Sequence, residues 1–351
     1  SSGTSMRKYG YLDKVVSLLK KNGATAVVFD KILPNPIKSH VMEAAAICKA
    51  EKCDFILGLG GGSSIDSAKS IAVMACNPGD YWDYVADGSG KGQPTSGGIL
   101  PIVAIPTTAG TGTEADPWTV ITDPERKEKI GFGNSKTFPV FSIVDPELML
   151  SVPPRLTAYQ GFDAFFHAAE GYIARIASPI SDLYALKSMN LLYANLSKAV
   201  DNGNDLEART NVALASMLSG MVESTSSCTS EHSLEHAMSA YYPELPHGAG
   251  LIIISQAYFT IFSKAVPERF KQMTEAITGK TSNDPLDFVR VLADMQKACG
   301  VDRIKMSDWG IKETDLPRFV SNARTAMSGL FSIDPVAFDD EVFLNIYKKS
   351  F

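Results

Sequence analysis

The chain has 351 residues, of which 45% are hydrophobic and 21% charged, so it is long enough for about two domains with sizeable cores. A net charge of -6 without a basic block argues against a partner such as nucleic acid or anionic lipid. The apolar runs are far shorter than the about 20 residues of a membrane helix, so we expect no membrane span.

The cysteine content indicates a reducing compartment. The five cysteines are scattered, odd in number and without a C-x-x-C pair, and no secretory leader is visible. We therefore expect free thiols and a cytoplasmic protein.

Helical and strand patterns alternate over the first 150 residues. The predicted helices cover 11–23, 41–52 and 63–75, and the predicted strands cover 24–30, 54–60, 99–106 and 141–145. Because helices separate short apolar strands, we expect parallel pairing in an α/β layer. A Gly-, Ser- and Pro-rich segment at 86–98 is predicted to be a loop.

The second part of the chain has only helical periodicity, most clearly at 181–200 and 206–224. We therefore expect an α/β domain over residues 1–149 and an all-helical domain over residues 150–351.

Two glycine-rich turns follow predicted strands. "GLGGGSSIDSAK" (58–69) leads from a strand into a helix, where backbone amides and the helix dipole suit a pyrophosphate. It is neither a Walker loop nor a regular G-x-G-x-x-G, and a purely structural turn is the alternative. "IPTTAGTGTEA" (105–115) offers four threonines that could bind phosphate or ribose, or bond their own backbone. Two such loops at strand ends favour a nucleotide in the crevice.

Four of the five histidines lie in two short segments. His232 and His236 are four residues apart, as are Asp163 and His167, so each pair faces one way if its segment is helical. His247 follows in "LPHGAG", a predicted loop. One carboxylate and three imidazoles could converge on zinc or ferrous iron, although single histidines of this kind are more often core residues. A zinc protease is disfavoured because the stretch H-S-L-E-H has its glutamate in the wrong place for H-E-x-x-H.

These motifs together resemble the iron-containing alcohol dehydrogenase family, particularly its butanol dehydrogenases and aldehyde reductases. The resemblance spans nearly the whole chain and rests on the segments "LPNP", "GGGSSIDSAK", "YWDYV", "IPTTAGTGTEA", "LTAYQGFDAFFHAAEGY", "HSLEHAMSAYY" and "PHG". It implies an α/β dinucleotide-binding domain followed by an all-helical metal-binding domain, the fold shared with dehydroquinate synthase. Family members normally begin with further strands, which this chain is expected to lack.

The resemblance also implies residue roles. The family's metal ligands, iron or alternatively zinc, match Asp163, His167, His232 and His247, and its proton-relay histidine beside the nicotinamide matches His236. The positions that match the cofactor cleft are Gly61, Gly62 and Ser63 at the pyrophosphate, together with Asp66, Thr107, Thr108, Thr111 and Lys129. The spacing from His236 to His247 is about one residue longer than in many members.

The opening segment "SSGTSMRKYG" bears on the choice of cofactor. It loosely matches the stretch that holds the 2′-phosphate in NADP users, with Gly3 and Ser5 among the matching positions, and it carries no acidic residue. The resemblance therefore favours NADP(H) over NAD(H).

The function implied is hydride transfer between the nicotinamide and a small primary alcohol or aldehyde, in a homo-oligomer, most simply a dimer. Two alternatives stay open: a metal- and NAD-dependent lyase of the dehydroquinate synthase type, and an inactive truncated homologue. The lyase would need many basic residues around an anionic substrate, whereas Ser, Ala, Met and Tyr flank the histidines here.

Overall fold

The amino-terminal part of the chain contains a parallel sheet. The structure, a computed structural model, describes residues 1–351. Its strands are β1 Ile56–Gly60, β2 Ile102–Pro106, β3 Thr119–Asp123, β4 Glu128–Phe132 and β5 Phe141–Ser142. The parallel sheet has the order β1-β2-β5, while β3 and β4 form a separate antiparallel pair.

Helices make up most of the remaining structure. In chain order they are α1 Thr4–Lys8, α2 Tyr11–Lys21, α3 Lys38–Ala50, α4 Gly62–Cys76, α5 Pro154–Ile173, α6 Pro179–Asp201, α7 Leu206–Ser226, α8 Ser230–Tyr241, α9 His247–Ala265, α10 Pro267–Thr278, α11 Asp287–Ala298, α12 Leu316–Ala326, α13 Ser328–Phe331 and α14 Asp340–Ser350. No helix combines the length and apolar character needed to cross a bilayer.

Helix α4 packs very closely on β1. A Cβ placed on Gly58 would come within 2.9 Å of the Cα of Ile65 and 3.1 Å of the Cβ of Ala68. The absent side chain therefore lets the helix lie against the strand, and α4 begins directly beyond its carboxyl end. This geometry directs the amino terminus of α4 toward the crevice at the strand ends.

The predictions for the α/β part are largely confirmed, with three differences. The predicted helices and the strands β1, β2 and β5 occur where the periodicity indicates, but neither the short helix α1 nor the β3–β4 pair was predicted. Residues 24–30, predicted as a strand, form none. Of this segment, Phe29 accepts a hydrogen bond from Ser2 N, but no ladder of pairs follows. An apolar, β-branched segment becomes a strand only when a neighbour satisfies its backbone groups.

Everything beyond Pro154 is helical apart from turns and short 3-10 segments. The larger apolar core runs from Ala158 to Tyr347 and lies wholly within this part. The next core runs from Phe29 to Ile130 and takes only Ala326 from the helical part. On this separation of the cores we propose the division into domains 1–149 and 150–351.

Candidate functional site

Three imidazoles surround one carboxylate oxygen at the cleft between the two parts. The Nε2 atoms of His247, His232 and His167 lie 3.3, 3.6 and 3.8 Å from Oδ1 of Asp163. All four side chains line a cavity of about 450 Å³. The four residues singled out in the sequence therefore meet at one point.

Helical spacing and one helix start bring these residues together. Asp163 and His167 share a face of α5, and His232 lies one turn into α8. His247, predicted in a loop, is instead the first residue of α9, after Pro246 at the helix cap. Proline favours such a helix start, and the apolar run after it continues the helix, so the loop prediction was wrong.

The protonation states of Asp163 and His167 suit metal ligands, whereas the effect of burial at His232 and His247 is outweighed by Glu170 and Glu235, which raise the pKa values of these two imidazoles. Burial alone would raise the pKa of Asp163, but the facing imidazoles of His167 and His247 outweigh it and hold that pKa well below its usual value. Burial lowers the pKa of His167 to about 3. The carboxylate is thus charged and this imidazole neutral, the forms that coordinate cations.

The donor set fits a divalent cation. Oδ1 of Asp163 and Nε2 of His232 are buried without any hydrogen-bond partner in the protein. Ligand atoms about 2.1 Å from a tetrahedral ion lie about 3.4 Å from one another, close to the distances from Asp163 to the imidazoles. Buried polar atoms without partners are costly, and a bound ion would satisfy them.

In each of the three histidines around Asp163, the other ring nitrogen, Nδ1, faces a glutamate. These three glutamates were not predicted from the sequence as site residues. Nδ1 of His232 contacts Glu170, Nδ1 of His247 contacts Glu235, and Nδ1 of His167 lies 3.5 Å from Glu223. In the sequence, Glu235 stands out only as the misplaced glutamate in the comparison with the zinc-protease motif H-E-x-x-H. The sequence does contain one indication of their role: these glutamates occur in otherwise apolar helical stretches, where a buried charge needs a partner.

His236 lines the same cleft, but neither of its ring nitrogens contacts the common oxygen of Asp163. Its ring centre lies 5.2 Å from that of His247, and its Nδ1 lies 2.7 Å from the sulfur of Met327. Burial, followed by the nearby charges of Lys129 and His247, holds the pKa of His236 well below its usual value. The ring is thus a neutral imidazole beside the ligand cluster.

The glycine turn lies at the amino terminus of α4, as predicted. Gly61 caps the helix, Gly62 begins it, and Ser63 lines the cavity. A Cβ on Gly61 would come within 3.1 Å of the Thr108 hydroxyl, and one on Gly62 would collide with Thr111. The two sequence loops therefore pack against each other, and the free helix amides face the cleft.

Three other residues that were predicted to bind the cofactor form hydrogen bonds within the protein. Asp66 accepts hydrogen bonds from the Thr113 hydroxyl (2.7 Å) and the Val120 amide (2.9 Å). The buried Thr107 donates its amide to the Gly60 carbonyl at 2.9 Å. Lys129 Nζ turns to Ser239 at 2.9 Å and Glu235 at 3.3 Å. Asp66 and Lys129 still line the cavity.

The remaining two, Gly3 and Ser5, lie outside the residues that line this cavity. Gly3 caps the short helix α1, and Ser5 is exposed within it. The neighbouring Arg7 is not a free cation, because its guanidinium bonds Asp30 at 2.8 and 3.0 Å.

Family comparisons cover both parts of the chain. Residues 1–146 match the model of the iron-containing alcohol dehydrogenases, and residues 157–351 match the carboxy-terminal model of the Fe-containing alcohol dehydrogenase family.

Individual relatives are similar over most of their lengths. Alcohol dehydrogenase 4 of Schizosaccharomyces pombe is 36% identical, covering 90% of this chain and 74% of the relative. The NAD-dependent methanol dehydrogenase of Bacillus methanolicus is 34% identical, covering 90% and 82%. The crystal structure of an archaeal halo-thermophilic alcohol dehydrogenase from a Red Sea brine pool, bound to NZQ, has a TM-score of 0.96 at 32% identity, covering 100% of this chain and 90% of that one. The chain therefore belongs to the iron-containing alcohol dehydrogenase family, and its class of reaction is that of an NAD(P)-dependent alcohol dehydrogenase.

Proposed function

We propose that this protein interconverts a small primary alcohol and its aldehyde, with NADP(H) as hydride carrier and a divalent metal held by Asp163, His167, His232 and His247. The observation that carries this proposal is the set of four convergent donor groups in a cleft that also contains the amino terminus of α4. Iron is the metal that the family implies, and zinc accepts the same ligands.

The metal would supply Lewis acidity toward the substrate oxygen. The protein's part is to hold three imidazoles and one carboxylate in a largely buried pocket. Low exposure strengthens every charge interaction there, since little solvent screens it. Asp163 and His232 are only 3% and 4% exposed.

His236 is the proposed proton-transfer residue. Its imidazole lines the cavity, lies next to His247 and contacts no glutamate, unlike the three proposed ligands. As a neutral imidazole it can accept the proton that the alcohol loses when hydride leaves its carbon, and in the reverse direction it would relay a proton to the alkoxide formed when the aldehyde takes up the hydride.

The pyrophosphate of the cofactor is assigned to Gly61, Gly62 and Ser63, where free backbone amides at the start of α4 provide donors. Thr107, Thr108 and Thr111 shape the adjoining loop, and Asp66 and Lys129 line the cleft beside it. Absence of an acidic residue among the first five positions is the support for NADP(H), because a carboxylate there would repel a 2′-phosphate. The named NAD-dependent relative keeps NAD(H) as the competing choice.

A neutral substrate is favoured by the apolar and weakly polar side chains among those that line the cavity: Trp118, Cys228, Met327, Leu330 and Ile333. The family assignment does not favour a lyase of the dehydroquinate synthase type. A homo-oligomer, most simply a dimer, and a cytoplasmic location stay predictions, the latter supported by five free cysteines.

The decisive experiment combines a metal analysis with cofactor titration and turnover. We expect about one equivalent of iron or zinc per chain and NADPH oxidation with butyraldehyde but not with a phosphorylated sugar acid. Turnover of the sugar acid alone would favour the lyase, and the absence of heat on mixing with NADPH would favour an inactive homologue.

A further inference from the structure

The outer ring nitrogens of the proposed ligands face buried carboxylates in every case. We propose that Glu170, Glu223 and Glu235 are positioning residues that keep Nε2 of the three imidazoles free for the metal and thereby set the metal affinity. This inference rests on the proposed function, because it takes His167, His232 and His247 as ligands.

The His232 pair is the most completely built. Nδ1 of His232 contacts one carboxylate oxygen of Glu170, and the other oxygen accepts bonds from the Thr229 amide (3.0 Å) and hydroxyl (2.9 Å). Glu170 and Thr229 are both 0% exposed. The carboxylate is therefore fixed by neutral donors, and the imidazole has one orientation available to it.

The His247 pair includes a cation. Glu235 contacts Nδ1 of His247, and Lys129 Nζ lies 3.3 Å from the same carboxylate oxygen. Lys129 also bonds the Ser239 hydroxyl at 2.9 Å. Because Lys129 comes from β4 and Glu235 from α8, this pair joins the α/β part to a proposed ligand on the helical part.

The His167 pair is looser. Its Nδ1 lies 3.5 Å from Glu223, beyond the ordinary length of a hydrogen bond, and neither atom has another partner. The three pairs therefore differ in their separation: Glu170 and Glu235 contact their imidazoles directly, whereas Glu223 lies further from His167.

The chemical consequence concerns the tautomer of each ring. A neutral imidazole carries one proton, and an acceptor facing Nδ1 keeps the proton there, which leaves the Nε2 lone pair exposed. In metal sites such outer partners fix ring orientation and raise ligand basicity.

The test measures metal affinity directly, by competition with a chromophoric chelator for zinc, in the full chain. We expect Glu170→Gln and Glu235→Gln to bind zinc about 10–100-fold more weakly than the wild type, and Glu223→Gln to lose less. Glutamine keeps the size of the side chain but removes the charge-assisted bond.

Glu231→Gln is the matched control. Glu231 lies on α8 beside His232 and is 0% exposed, and both its carboxylate oxygens lack a hydrogen-bond partner. We expect its zinc affinity to stay within about twofold of wild type. An equal loss in Glu231→Gln would overturn the inference, because replacement of any buried carboxyl beside the histidines would then suffice.

A spectroscopic measurement separates positioning from general loss of structure. In zinc-loaded, 15N-histidine-labelled protein, only five histidines contribute signals. The Nδ1-bound proton of His232 should lie further downfield in the wild type than in Glu170→Gln, since a carboxylate is the stronger acceptor. The far-UV circular dichroism spectrum of each variant verifies its fold.

The outcomes distinguish the inference from the proposed function. Tight zinc binding by the wild type and unchanged binding by all three glutamine variants would overturn only the positioning role. Failure of the wild type to bind zinc or iron would overturn both.

Discussion

Nε2 of His247, on α9, lies 3.3 Å from Oδ1 of Asp163, on α5, yet that buried oxygen has no hydrogen-bond partner in the protein. The contact exists only when two helices distant in sequence are packed together. Buried ligand atoms without hydrogen-bond partners are the strongest physical indication of a cation site in this protein.

Replacing His247 with alanine should therefore remove metal and activity together. One of four donors disappears, and the remaining three leave an opening through which the ion exchanges with water. We expect metal per chain and aldehyde-dependent NADPH oxidation to fall in parallel. His40→Ala, which changes the one histidine outside the cluster, should retain both. Full activity in a metal-free His247→Ala protein would contradict the proposal.

Replacing His236 with alanine should separate chemistry from metal binding. This imidazole contacts Met327 rather than the common oxygen, so the metal content should be that of the wild type. Loss of a proton-transfer group typically costs about 10²–10⁴-fold in rate. We expect kcat to fall within that range, measured by stopped-flow absorbance of NADPH with metal analysis of the same sample. Loss of metal instead would make His236 a ligand.

Most of this site could be predicted from the sequence because its spacing is local. The pairs Asp163–His167 and His232–His236 repeat at one helical turn, and the glycine turn at 58–69 lies between a strand and a helix. The glutamates behind the rings could not be predicted, because their contacts with the imidazoles depend on how α5, α7, α8 and α9 pack. For the same reason residues 24–30 have strand composition without becoming a strand, since propensity does not provide a neighbour.

Replacing Gly3 with aspartate should shift cofactor preference toward NADH. A carboxylate at this position would repel a 2′-phosphate and could accept a bond from a 2′-hydroxyl. A Cβ here would come within 3.2 Å of the Ile32 carbonyl, so Gly3→Ala controls for crowding alone. We expect the ratio of kcat/KM for NADPH over NADH to fall at least about tenfold in Gly3→Asp, equivalent to about 1.4 kcal/mol. An equal ratio in both variants would contradict the placement of the 2′-phosphate.

Replacing Lys69 with methionine should destabilise the α/β part. Lys69 is 0% exposed, and its Nζ donates to the Thr113 hydroxyl (2.6 Å), the Trp118 carbonyl (2.6 Å) and the Asp116 carboxylate (3.1 Å). Removal of the cation leaves the buried Asp116 carboxylate with only the Trp118 amide as a donor and takes the charged donor from the other acceptors, which costs about 3–5 kcal/mol. Urea unfolding followed by circular dichroism measures the loss.

The exposed Lys198 provides the control for that measurement. Lys198→Met on α6 should change the free energy of unfolding by no more than about 0.5 kcal/mol. Equal stability of Lys69→Met and the wild type would show that the buried ammonium contributes nothing net.

Because of Glu114, the free energy of unfolding should fall as the pH rises. Burial raises the pKa of its carboxyl from 4.5 to about 7, and Asp116 adds to the shift. Because the folded state prefers the protonated form, the contribution of Glu114 is fully present below pH 4.5 and is lost as the pH rises through about 7. In chelator-treated protein, the free energy of unfolding of Glu114→Gln should equal that of the wild type near pH 4.5 and exceed it at pH 8 by at most roughly 3 kcal/mol. The exposed Glu125→Gln should follow the wild-type curve at every pH. A Glu114→Gln curve parallel to that of the wild type would mean that folding does not shift the pKa of this carboxyl.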